Sequence, residues 1–192
     1  MRKKSIIWIV IAIVVVFFIA SIFSSYNSLV NAREDVNQSY SQIENQIQRR
    51  MDLIPNLVST VKGYASHEKD VITSISNARA NLASAKSPAD KAAANDQLSG
   101  ALNRLLVVVE NYPNLKANEE FTQLMDELAG TENRIAVARQ DYNNAVATYN
   151  KKVQKFPGAL VANLFGFKQK EYFKADTNAK ETPKVDFGDS NK

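Results

Sequence analysis

The stretch VNQSYSQIENQIQRRMDLIPNLVSTV, residues 36–61, decides the fold class. Val36, Ile43 and Leu57 share one position of a seven-residue repeat, and Tyr40, Ile47, Ile54 and Val61 share the other, with polar residues between them. An apolar stripe of that period is the mark of a helix packing along its length against other helices. Working outward, Leu29, Tyr64 and Val71 extend the first register, and Ile75 and Leu82 the second. The stripe thus runs from about residue 26 to 84, which predicts one helix of roughly 85 Å. Pro55 lies inside it and removes one hydrogen bond near the Met51 carbonyl, so a kink is expected there and not a domain break.

On the N-terminal side, residues 5–23 carry no charge and are nearly all Ile, Val, Phe, Ala or Trp. A helix of that length crosses the ~30 Å hydrocarbon core of a bilayer. A cleaved signal peptide would have a shorter apolar run and a small-x-small cleavage site. Phe18 and Ile22 stand where small residues would be wanted, so the anchor is expected to be retained. Arg2, Lys3 and Lys4 precede it, which predicts a cytoplasmic N-terminus and an extracytoplasmic soluble part.

On the C-terminal side, Ser87-Pro88-Ala89-Asp90 is a helix start with Ser87 as N-cap, and Pro113 predicts an end at Tyr112. The expected core face of this helix is Ala94, Leu98, Ala101, Leu105, Val108, Val109 and Tyr112. Asn118-Glu119-Glu120 caps a third helix whose stripe reads Phe121, Leu128, Ile135, Tyr142, Tyr149 and Phe156, until Phe156-Pro157-Gly158 stops it. Short connections make the three antiparallel, up-down-up. The apolar segment 160–173 predicts a last small helix docked on the bundle. Its Leu160, Leu164, Phe165, Phe167 and Phe173 are candidate contacts for a protein partner or for lipid.

The expected organisation is therefore a basic N-terminus (1–4), an anchor (5–25), an all-α antiparallel bundle (26–173) and a disordered polar tail (174–192). Composition agrees, with 45% apolar and 23% charged residues and sparse Gly and Pro. The net charge is +4, and setting aside Arg2, Lys3 and Lys4 leaves +1. That is too little clustered cation to bind nucleic acid. The absence of Cys excludes disulfides, thiolate chemistry and a lipoprotein anchor.

Catalytic signals are lacking. His67 is the single histidine, and Val71 stands where a zinc-peptidase motif needs its second one. Phosphate-loop, dinucleotide and nucleophile-elbow motifs do not occur. Neither a cofactor nor a metal is expected. Three charges do interrupt the apolar stripes: Arg50 lies between Ile43 and Leu57, while Glu132 and Arg139 share a register with Val146 and Val153. A charge at such a seam must find an opposite one, which predicts an Arg50–Glu132 contact inside the bundle.

Several blocks are similar to a known family. Residues 49–58 (RRMDLIPNLV), Val61-Lys62-Gly63-Tyr64-Ala65 with His67-Glu68, and residues 112–118 (YPNLKAN) resemble the signature of the LemA family. So do Gly130-Thr131-Glu132-Asn133-Arg134-Ile135, residues 138–143 (ARQDYN), Phe156-Pro157 and Leu164-Phe165-Gly166-Phe167. The resemblance implies a bacterial, membrane-anchored helical bundle without an enzymatic activity. It further implies association with membrane-protein quality control beside a membrane zinc peptidase, or with magnetosome membrane formation. The protein is expected to act as a membrane-tethered scaffold or adaptor binding another protein or a second copy of itself; the alternative is a membrane-shaping protein whose apolar residues 160–173 touch lipid.

Overall fold

The computed structural model describes residues 2–174, with side chains from residue 6 onward. The polar tail expected after residue 174 lies outside the described residues, as do the side chains of the basic N-terminus. Among the described residues there are six helices: α1 (Arg2–Tyr64), α2 (Lys69–Ser84), α3 (Pro88–Val109), α4 (Pro113–Lys116), α5 (Glu119–Gln154) and α6 (Gly158–Phe165). The fold is the expected all-α antiparallel bundle. Among the described residues, α1 is the one helix long and apolar enough to cross a membrane, and its apolar part continues into the bundle without interruption.

The stripe 26–84 is two helices and not one. α1 passes through Pro55 unbroken and ends at Tyr64; after a turn through Ala65 and Glu68 the chain returns as α2. The break corrects the core assignment beyond it. Tyr64 is 47% exposed and Ile72 replaces Val71 among the buried residues. Glu68 holds the turn in place by accepting a 2.7 Å hydrogen bond from the Tyr112 hydroxyl.

The order is consequently up-down-up-down for α1, α2, α3 and α5. Glu127 meets Arg49, Arg134 meets Gln46 and Tyr142 meets Tyr40, so α5 runs opposite to α1. Lys91 meets Glu44 and Asn95 meets Arg50, so α3 runs alongside α1 in the same direction. Leu57, Leu98, Leu105 and Ile135 are almost fully buried where these helices face one another. Each contributes roughly 1.5–3 kcal/mol relative to an exposed position.

Helix ends follow local chemistry. Ser87 Oγ accepts from the Asp90 amide at 3.0 Å, and Asn118 Oδ1 from the Phe121 amide at 2.8 Å. α3 stops at Val109, short of the expected Tyr112, and Pro113 opens the short α4. α5 ends at Gln154, which leaves Phe156, expected in its core stripe, 79% exposed.

The last apolar segment is helical only to Phe165. Gly166, at φ +75, closes α6 in the left-handed conformation that glycine adopts without steric cost. Residues 167–174 then run along α5 with no helix of their own.

Candidate functional site

Arg50 projects from α1 into the bundle one heptad from both Ile43 and Leu57. Its Nη1 donates to Asn95 Oδ1 of α3 at 2.7 Å and to Glu132 Oε2 of α5, and its Nη2 donates to Ser99 Oγ at 3.1 Å. Ser99 Oγ in turn donates to the same Glu132 oxygen at 3.1 Å. One cation thereby joins three helices. Burial pushes the Arg50 guanidinium below its ordinary pKa, and the Glu132 carboxylate opposes that shift. The two partners are unequally covered, since the Arg50 side chain is 3% exposed and that of Glu132 41%. The carboxylate opens into a groove of about 290 Å³ between α3 and α5, lined on its apolar side by Leu102, Leu106, Met125 and Leu128.

Arg139 belongs to a neighbouring contact and not to this one. Its Nη1 lies 3.3 Å from Asp96 Oδ1, and its guanidinium covers the Phe173 ring at 5.1 Å. It forms a second tie between α5 and α3.

The five apolar candidates near the C-terminus separate into two groups. Leu160, Leu164 and Phe165 are exposed. Phe167 and Phe173 are buried against the bundle, which corrects their assignment as contacts for a partner or lipid. Phe167 lies edge-on to Tyr26 at 5.7 Å and under Arg33 at 5.2 Å. Phe173 lies edge-on to Tyr142 at 6.5 Å. Burying these two rings offsets the entropy of ordering the segment between them.

Two asparagines that the periodicity passes over hold this segment. Asn150 donates to the Lys170 carbonyl at 2.9 Å and accepts from the Lys170 amide at 2.8 Å. Asn143 does the same to Phe173, at 3.0 and 2.9 Å. Each carboxamide thus stands in for the edge of a β-strand. The geometry matches because seven helical residues rise about 10.5 Å, while three extended residues span about 10 Å. Between the two, the Tyr142 hydroxyl donates to the Glu171 carbonyl at 2.8 Å. The legible signal was a Tyr-Asn pair repeated seven apart, Tyr142-Asn143 and Tyr149-Asn150.

The sequence pattern of the LemA family matches residues 39–187, which take in most of the bundle and everything described after it. The chain belongs to the LemA family. Proteins similar to it include Magnetosome protein MamQ 2 of Paramagnetospirillum magneticum, 31% identical over 195 residues, covering 88% of this chain and 71% of the relative. Magnetosome protein MamQ of Magnetospirillum gryphiswaldense is 30% identical over 184 residues, covering 82% of this chain and 68% of the relative. Protein LemA of Metamycoplasma hominis is 25% identical over 184 residues, with 87% and 83% covered.

Proposed function

We propose that this LemA-family chain is a membrane-anchored helical scaffold or adaptor, without catalysis of its own, that holds protein partners at the bacterial plasma membrane. The observation that carries the reading is the continuity of α1 from its apolar segment into the core of the bundle. A stiff helix shared by anchor and bundle sets the height and tilt of every bundle surface above the bilayer, as a scaffold requires and a flexible tether would not achieve. The basic residues Arg2, Lys3 and Lys4 support a cytoplasmic N-terminus with the bundle on the outer side. Partners suited to such a scaffold are other membrane proteins, a membrane peptidase among them, or a second copy of the chain. Crosslinking in native membranes followed by mass spectrometry tests this reading, with one or two dominant protein partners expected. Recovery of none would sink it.

A second reading, contact with lipid, is favoured by one specific feature. α6 (GALVANLF) has no charged residue, and after burying Val161 and Ala162 it still exposes Leu160, Leu164 and Phe165. The apolar face of a helix is ordinarily covered. α6 sits beside Tyr26, with Phe165 at 4.9 Å, close to where α1 would leave the bilayer.

A further inference from the structure

A groove of about 430 Å³ lies where the end of α5 and the start of α6 meet α1. Ser24, Ser25 and Ser28 line it from α1, and Lys151, Lys152 and Lys155 line it from the end of α5. Among the described residues, no acid lines it. Lys152 is partly tied, its Nζ reaching the Ser28 carbonyl at 3.4 Å. Lys151 and Lys155 are exposed and form no ion pair among the described residues. Gly158 closes the base of the groove by close approach, since a Cβ there would sit 2.2 Å from the Lys152 carbonyl oxygen.

Lysines in the last turn of a helix are ordinary, because they complement its dipole. Position distinguishes these three. Counting from Phe23, where the continuous apolar run gives way to Ser24-Ser25, at 1.5 Å per residue, Ser24 to Ser28 lie about 1.5 to 7.5 Å beyond that run. The headgroup layer on each side of a bilayer is about 5–7 Å thick. With α1 spanning a bilayer, the groove would therefore lie level with lipid phosphates; Phe156 at its rim is apolar and exposed.

We propose that this groove binds the headgroup of an anionic phospholipid. Lys151 and Lys155 meet the phosphate, the hydroxyls of Ser24 and Ser25 donate to its oxygens, and the acyl chains pass Phe156 into the hydrocarbon layer. The proposal rests on the reading that α1 anchors the chain in a membrane, and it gives the lipid contact a chemical class.

The test uses the full chain in nonionic detergent micelles doped with equal phosphatidylglycerol and phosphatidylcholine, with retained lipid read by native mass spectrometry. The wild type is expected to retain phosphatidylglycerol preferentially. K151Q/K155Q is expected to lose roughly fivefold in affinity per lysine, the equivalent of ~1 kcal/mol for each cation beside an anionic surface. Its circular-dichroism melt should match the wild type, because both side chains are exposed. Equal retention of the two lipids by the wild type, or undiminished preference in the variant, overturns the proposal. Displacement of the retained lipid by millimolar inorganic phosphate would mark a site for free anions and also overturn it. Flotation of the wild type with phosphatidylcholine vesicles separates the two levels of the argument. A chain that floats but shows no preference defeats the headgroup site alone, whereas one that does not float defeats the anchored reading beneath it.

Discussion

Arg79 of α2 occupies the carbonyl that Pro55 leaves without a donor, its Nε lying 2.9 Å from Met51 O. A proline has no N–H for the residue four positions earlier, so α1 carries one orphan acceptor inside the bundle. The contact explains how the helix passes Pro55 unbroken while α2 packs beside it. Arg79→Ala should cost about 1–1.5 kcal/mol. In a Pro55→Ala background, where residue 55 supplies its own N–H, the same change should cost measurably less. Equal costs in a double-mutant cycle of thermal melts would show that the two residues are not coupled.

Glu132→Gln should destabilise the bundle by about 2–3 kcal/mol, somewhat below the range for breaking a fully buried pair. The half-exposed carboxylate, together with the Asn95 and Ser99 oxygens that stay on Arg50, limits the loss. Replacing Arg50 and Glu132 together by Leu should recover only part of it, since Asn95 Oδ1 then loses its donor. Thermal melts of both variants, scored beside a cellular phenotype, test this assignment. A single variant that melts like the wild type yet loses function would refute a structural role for the pair.

Asn143→Ala and Asn150→Ala should each release the segment after α6, because each removes two backbone hydrogen bonds that no other side chain replaces. The cost is about 1–2 kcal/mol apiece. The readout is local: trypsin should cut after Lys168 and Lys170 faster in either variant. Unchanged cleavage rates with an unchanged melt would show that the two aromatic anchors suffice without the carboxamides.

Alkaline pH should loosen the bundle through Tyr142. Burial, reinforced by Tyr40 and Glu171, pushes its pKa up to about 12 from an ordinary value of 10.0. The folded state therefore holds this proton more tightly than the unfolded chain. The stabilisation is fully present below pH 10 and is lost as pH rises through about 12. Urea titrations between these limits should show falling stability, with a shallower decline in Tyr142→Phe. Tyr40 and Tyr149 are shifted the same way, so a residual slope should persist. An identical profile in the variant would rule out Tyr142 as its source.

Much of the candidate site was legible locally because its constraints are local. A seam position occupied by Arg50 demands a counter-charge whatever encloses it, and Glu132 stood at the corresponding position of another stripe. The register placed Arg139 beside Glu132 equally well, yet Arg139 meets Asp96. The sequence alone could not separate them, since two carboxylates offer the same chemistry and only packing distance chooses between them.

From its residues by itself the chain determined an apolar span, inward-facing stripes, the Ser87 and Asn118 caps and an orphan carbonyl at Met51. These depend on helical period and on backbone groups within a turn or two of one another. The tertiary structure alone decided where the first stripe reverses, because Val61, Ala65, Ile75 and Leu82 face one core on both sides of the turn and apolar spacing does not record a change of direction. It also decided which donor reaches Met51, and that two asparagines would hold a non-helical segment of their own chain. In each case the partner comes from a distant part of the sequence, and its choice follows from which helices lie side by side once their apolar faces are buried.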